Sequence, residues 1–255
     1  MPKSIPPQRL AAQALRELKA AADPRVAAGA KAYFKAYEDL HFFGVKTPAV
    51  RQLARKLFLQ IRDLWEIEDA LSFCQILIER RELEAKNVGI FLFARYKKSF
   101  DKSLLPRFEA WLANNHCSDW ASTDALSGAI IGPLIEQHPQ LIGQLKVWTR
   151  KRSLWVRRAA AVAMVGSARH GEHLDEIYEI AESLLQDPED LIHKAAGWLL
   201  REAGKSDVER LERFLLGHGP RIPRTTLRYA IEKYPPAKRK LLLEKTRFKD
   251  PIWPI

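Results

Sequence analysis

Glycine is scarce, 12 residues in 255, and runs of strongly β-branched residues are rare. Both shortages argue against a β-rich fold, which needs tight turns and β-branched strands. Only two cysteines occur, Cys74 and Cys117, with no metal-like spacing. They argue against a disulfide framework and for a reducing compartment, here the cytoplasm. The opening Met1-Pro2-Lys3-Ser4-Ile5-Pro6-Pro7 lacks the apolar core of a signal peptide. No apolar run is long enough to cross a bilayer, so no membrane partner is expected. Several catalytic signatures are missing: the Gly-rich phosphate loop, His-Glu-x-x-His, Cys-x-x-Cys and Gly-x-Ser-x-Gly. The seven histidines form no i, i+4 pair. His170 and His173 have a glycine between them and no evident third ligand, so neither metal nor cofactor is expected.

What is abundant is the set of good helix formers, Ala, Leu, Glu, Lys and Arg. The formal charge is +11, with a pI near 9.7. A surplus of this size points to a polyanionic partner, most often nucleic acid. The charge leans towards the C-terminal half. Residues 146–255 hold 22 Lys and Arg against 15 Asp and Glu, a balance of +7, and the first 145 residues hold +4.

Hydrophobic spacing predicts helices over 8–22, 25–39, from Pro48 onward, 66–80, 83–96 and 104–113. The 25–39 stripe is Val26, Ala30, Tyr33, Phe34 and Tyr37. Gly44 suits a turn, and Thr47-Pro48 reads as an N-cap followed by a helix-starting proline. Helices continue over 133–137 and 139–150, with a kink expected at Gly132-Pro133.

Beyond this point the chain repeats. Leu154-Trp155-Val156-Arg157-Arg158-Ala159-Ala160 resembles Asp190-Leu191-Ile192-His193-Lys194-Ala195-Ala196, with Arg158 and Lys194 36 residues apart. Pro223-Arg224-Thr225-Thr226-Leu227-Arg228-Tyr229-Ala230 is a third relative. Each runs from basic residues into small apolar ones. Two helices per 35–45 residues is the pattern of an α-solenoid. The expectation is an all-α, single-domain chain of HEAT-like antiparallel helix pairs with a concave basic face. Its core spans about residues 8–235, followed by a non-helical tail at 246–255. A monomer is expected.

The most informative stretch is Asn115-His116-Cys117-Ser118-Asp119-Trp120-Ala121-Ser122-Thr123-Asp124. Ser118 or Asp119 is suited to cap a helix starting at Trp120. The four-residue spacing of Trp120 and Asp124 puts an indole and a carboxylate on one helical face. The plainer alternative is a buried Trp beside a solvated Asp. Asp124, Arg158 and Trp198 are separated by 34 and 40 residues, close to the repeat. That spacing is expected to bring them to equivalent faces of successive repeats. Basic residues at the starts of inner helices, Arg157, Lys194 and Arg228 among them, then supply phosphate contacts. A carboxylate in a basic groove stabilises a developing cation and orients water. Indole faces stabilise cations too. Loss of a cationic base from deoxyribose generates such a cation.

These residues resemble the AlkD-type alkylpurine DNA glycosylases, helical proteins built of HEAT-like repeats. The likeness runs from about residue 8 to about residue 235. It rests on Phe43-Gly44-Val45-Lys46-Thr47-Pro48 with Arg51, Trp120-x-x-x-Asp124, Trp155-Val156-Arg157-Arg158-Ala159, Lys194-Ala195-x-Gly197-Trp198-x-Leu200-Arg201-Glu202, and Arg228-Tyr229-Ala230-Ile231. No single segment is specific, but their order and spacing together are. The resemblance implies removal of N3- and N7-alkylated purines from duplex DNA, without drawing the lesion into a deep pocket. It implies catalytic roles for Asp124, Trp120, Trp198 and Arg158. It places Arg157, Lys194, Arg201, Arg228, Lys46 and Arg51 against DNA, with the protein in the cytoplasm beside the nucleoid. Two positions depart from the family's motif: Asp119 precedes Trp120 and Ala121 follows it, where the family has an aromatic and an acid. Arg157 adds a charge where the family can have a neutral residue. The competing readings are a helical-repeat protein that binds distorted or branched DNA without excision, and a scaffold for protein partners.

Overall fold

The computed structural model describes residues 5–32, 34 and 40–247. The fold is all-α; among the described residues the sole strand-like feature is a bridge between His41 and Glu82. The chain forms two compact units, Met1–Gln137 and His138–Ile255.

The first unit contains α1 (Pro7–Ala20), α2 (Pro24–Lys31), α3 (Thr47–Ile61), α4 (Ile67–Ile78), α5 (Leu83–Phe93), α6 (Leu105–Ala113), α7 (Trp120–Leu126) and α8 (Gly132–Gln137). Proline opens α1 and α2, where its missing N–H costs nothing. Asp23 caps α2 by accepting from the Arg25 N–H at 2.9 Å. α2 ends at Lys31, short of the expected 25–39, and Tyr33 and Tyr37 of that stripe lie outside the described residues. The N-cap position of α3 is Lys46, so Thr47 opens the helix instead of capping it.

The centre of the unit is α5, buried nearly all round, which packs against α1, α3, α4 and α7. Its Phe93 and Phe108 of α6 meet edge to face at 6.2 Å, both fully buried. Burying each such ring stabilises the fold by about 1.5–3 kcal/mol. The helix expected to reach residue 96 tightens at Ala94–Ser99 into a 3₁₀ turn.

α5 also carries a buried acid, Glu84. Its carboxylate accepts from the N–H groups of Phe43, Gly44 and Val45 at 3.1, 2.8 and 3.1 Å. The Phe-Gly-Val turn thereby satisfies a buried charge with backbone donors. Gly44 sits at φ +85°, and a Cβ there would fall 2.0 Å from the Asp23 carbonyl oxygen. Part of the signature read from the sequence therefore serves the fold.

α7 and α8 are joined by a π-helical turn, Ser127–Ile131, in the place where a kink was expected. Pro133 cannot donate to the preceding turn, and a wider turn ahead of it absorbs the mismatch.

The second unit contains α9 (Ile142–Trp148), α10 (Leu154–Val162), α11 (Val165–His170), α12 (Leu174–Ser183), α13 (Asp190–Ala203), α14 (Val208–His218), α15 (Arg224–Ala230) and α16 (Pro236–Lys245). α13 is central and packs on α10, α11, α12 and α15. It comes close to α15. A Cβ on Gly197 would fall 2.5 Å from Tyr229 Cβ and 2.6 Å from the Thr226 carbonyl oxygen. Thr226 and Thr225 donate back to the His193 carbonyl and Asp190 carboxylate of α13, at 3.1 and 2.9 Å. The three basic-then-small segments are thus the starts of α10, α13 and α15. Of the expected tail, Thr246 caps the end of α16 and residues 248–255 lie outside the described residues.

Candidate functional site

α7 is only seven residues long, too short to persist on its own propensity. Its geometry is imposed from beneath. Asp119 occupies the N-cap and is fully buried. Its carboxylate accepts from the Ser122 N–H at 2.7 Å and, through a short bond, from the Ser122 hydroxyl. Burial pushes this carboxyl above its ordinary value, against the opposing pull of the Ser122 hydrogen bonds and the Lys86 charge. Thr123, also fully buried, donates to the Cys117 carbonyl at 3.2 Å. Lys86 of α5, 4% exposed, donates to the Ile78 carbonyl at 3.3 Å and through a short bond to the His116 carbonyl. The loop before α7 is therefore held by a buried ammonium group on one side and a buried cap on the other.

On this footing α7 presents Trp120 and Asp124, one turn apart and both half-buried. The Trp120 indole stacks on the Phe34 ring, with centroids 5.1 Å apart and planes 12° from parallel. Phe34 in turn meets Phe42 at 5.3 Å. The plainer alternative, a buried Trp beside a solvated Asp, compares with a Trp120 and an Asp124 that are both half-buried. The departure at position 119 has a structural cause: the acid there is the helix cap, not an extra charge facing outward.

In the second unit the expected residues divide. Trp198 is half-buried on α13, and Lys194 pairs with Asp190 at 2.9 Å while remaining partly exposed. Arg228 on α15 is exposed. Arg158, to which the resemblance gives a catalytic role, is 5% exposed and donates to the Leu191 carbonyl at 2.6 Å. It falls on the face of α10 that carries the buried Trp155, Ala161 and Val162, and there it ties α10 to the first turn of α13. Arg157 grips Asp187 through Nε at 2.5 Å and Nη2 at 3.3 Å, and its Nη1 reaches the Lys151 and Arg152 carbonyls. Arg201 pairs with Glu232 and lies 3.5 Å from the Glu202 carboxylate. Glu202 itself is buried and receives Lys205 at 2.6 Å and Arg169 at 3.1 Å. Burial raises its carboxyl, but the hydrogen bonds from Lys205 and Arg169 outweigh this and hold it below its ordinary value. Back in the first unit, Lys46 and Arg51 are exposed, and the Arg51 guanidinium lies 4.0 Å above the Phe91 ring.

Sequence reasoning missed Lys86, Glu84 and Phe34 as parts of this machinery. The first two are charged residues inside the apolar run of α5, and a charge at a core position is itself a signal. Phe34 gave no comparable signal, since its partner is 86 residues away and Phe34 lies outside any helix. Among the described residues no cluster of three or more His, Cys, Asp or Glu is placed to hold a metal ion. No described helix is long and apolar enough to cross a membrane.

An all-helical protein with a supported indole–carboxylate pair and a surplus of positive charge is of the kind that handles nucleic acid. Residues 14–234 match the family model described as DNA alkylation repair enzyme, and the chain belongs to that family. Its structure is similar to that of a predicted DNA alkylation repair enzyme from Enterococcus faecalis, with a TM-score of 0.73 at 19% identity over 84% of this chain and 97% of that one. A second solved structure, smu.31 from Streptococcus mutans UA159, aligns over 79% of this chain and 100% of its own at 14% identity, with a TM-score of 0.46. No curated protein matches the chain in sequence.

Proposed function

We propose that the protein is a DNA glycosylase that removes N3- and N7-alkylated purines from duplex DNA. The observation that carries this reading is the placement of Asp124 beside Trp120 on α7, partly open to solvent and braced by Asp119 and Lys86. An alkylated purine of this kind already carries positive charge. When the bond from its ring nitrogen to C1′ breaks, the electron pair leaves with the base and the positive charge passes to the sugar. Asp124 stabilises that charge and orients the water that attacks C1′, and the water's proton passes to the carboxylate or to solvent. The indole of Trp120 offers a π-face to the same cation. This chemistry needs no deep pocket, in contrast to enzymes that swallow a flipped base.

On this reading Trp198 offers DNA a second indole, and Lys194, Arg228, Lys46 and Arg51 contact its phosphates. Arg158 acts by holding α10 to α13, and Arg157 and Arg201 act through their carboxylate partners. The protein works as a monomer in the cytoplasm, on nucleoid DNA. A second reading, recognition of damaged or branched DNA without excision, is favoured by one observation: Phe34 already covers a face of Trp120.

The deciding experiment is release of free base from duplex DNA methylated with a simple alkylating agent. The expected result is liberated 3-methyladenine or 7-methylguanine, with abasic sites left in the strand. Tight binding of the methylated duplex with no base released overturns the proposal in favour of the second reading.

A further inference from the structure

The positive charge of the second unit is concentrated at one end. Residues 219–247 contain nine Lys and Arg against two Glu, a balance of +7. This equals the whole surplus of residues 146–255, so the rest of that half is neutral. Arginines elsewhere in the unit, such as Arg157, Arg169 and Arg210, sit on carboxylates. Of the nine cations at this end, only Lys233 and Lys238 have a carboxylate within 4 Å among the described residues.

The same end holds a cavity of about 500 Å³ between the first turn of α15, the end of α16 and the loop before α13. Arg221, Arg224, Arg247 and His193 line it. Arg224 is fixed in place, donating to the Thr246 hydroxyl at 3.1 Å and the Leu243 carbonyl at 3.0 Å. Burial, and then the charges of Arg228 and Arg247, hold it below its ordinary value. One acid reaches the cavity, Asp187, and Arg157 already neutralises it at 2.5 Å. His193 is turned to the Asp187 carbonyl at 2.6 Å. Arg221 and Arg247 are exposed and make no ion pair among the described residues.

We propose that this cavity and its cationic rim form an anchor for the backbone phosphates of duplex DNA. It is an addition to the α7 site, and it stands whether or not α7 excises bases. The chemistry of the lining selects the ligand. Converging guanidinium groups suit a phosphate, which they can grip with paired N–H bonds. No Trp, Tyr or Phe lines the cavity, so no base is stacked there. Much of the remaining wall, Leu185, Ile222 and the prolines 220 and 223, is apolar and reads no base edge, which leaves Gln186 and Thr246 as its uncharged polar side chains. Such a site positions DNA irrespective of sequence.

The test uses undamaged duplex and the full chain, and so is independent of excision. Arg221→Gln with Arg247→Gln removes two exposed charges while leaving Arg224 and its hydrogen bonds in place. Affinity is expected to fall roughly ten-fold, and the slope of log K against log salt to flatten by about one to two units. Arg221→Lys with Arg247→Lys keeps the charge and is expected to retain most of the slope. Arg25→Gln with Arg62→Gln removes equal charge from the first unit, where each arginine sits by an aspartate, and is expected to change little. Wild-type affinity and slope in the first variant overturn the proposal, as does an equal loss in the Arg25 and Arg62 variant. Saturable stabilisation by inorganic phosphate, abolished in the first variant whose duplex binding is unchanged, also overturns it, because the site then serves a free anion. Failure of the wild type to release alkylated base bears only on the α7 reading.

Discussion

The two helices that carry the signature tryptophans are built in opposite ways. α7, with seven residues, is held by buried polar groups: the Asp119 cap, the Thr123 hydroxyl and the Lys86 ammonium group. α13, with fourteen residues, is held along its length by close packing, with Gly197 bringing α15 near enough to leave no room for a methyl group, and by hydrogen bonds from Thr225, Thr226 and Arg158 at its start. Buried polar contacts have narrow geometry and fix a short helix in one orientation. Apolar packing stabilises a long helix without aiming any one side chain so tightly. On the proposed reading, the difference suits α7 to chemistry and α13 to the frame. Near α13 the charges of Arg157, Arg158, Arg201 and Glu202 also have internal partners.

The sharpest way to break this comparison is to disturb the packing of α13. Gly197→Ala places a methyl group against Tyr229 and Thr226, and is expected to cost about 1–3 kcal/mol by overpacking, measured by urea unfolding. If the variant is as stable as wild type, the close approach of α13 and α15 is not what holds them together.

A smaller loss is expected at α7. Asp119→Ala removes the cap and is expected to cost about 0.5–2 kcal/mol. If α7 positions the site, excision by this variant also falls, even where the protein is fully folded. Restored excision in Asp119→Asn, which keeps an oxygen at the cap, would attribute the loss to helix position and not to charge.

The two helices also predict opposite responses to pH. Burial raises the Asp119 carboxyl, so its contribution is most favourable at low pH and is lost as pH rises through the raised value. Glu202 is held low, so its contribution is present above the ordinary glutamate value and is lost as pH falls through the lowered one. Asp119→Asn should therefore gain on wild type as pH rises above the ordinary aspartate range. Glu202→Gln should lose against wild type near neutrality and converge with it in acid. Melting temperatures across pH 3 to 7 check both signs, and parallel curves would remove the distinction.

Much of this was legible in the residues themselves. The helical class followed from composition and spacing, and the repeated basic starts marked α10, α13 and α15. The cap before Trp120 was narrowed to Ser118 or Asp119 because short polar side chains compete for the first free N–H groups. What stayed hidden depends on contacts distant in sequence. Lys86 reaches the loop before α7 from 30 residues away. Arg158 reads like a surface cation, yet helical rotation carries it onto the buried side of α10, where it donates to a carbonyl of the next helix pair. The Phe-Gly-Val turn was readable as a turn, but its use as a ligand for the Glu84 carboxylate was not.

On the proposed reading, Asp124 works by its charge on a helix that Asp119, Thr123 and Lys86 hold in shape. The most direct measurement is single-turnover release of an alkylated purine by Asp124→Asn beside the wild type, with thermal stability recorded on the same samples. The expected result is a fall of roughly ten-fold to a thousand-fold in excision, as for loss of one electrostatic contact to a transition state. The melting temperature is expected to stay close to wild type, and undamaged-duplex binding to hold or improve, since a negative charge is lost. Wild-type excision together with a lowered melting temperature would contradict that reading, and would make Asp124 a brace of the fold.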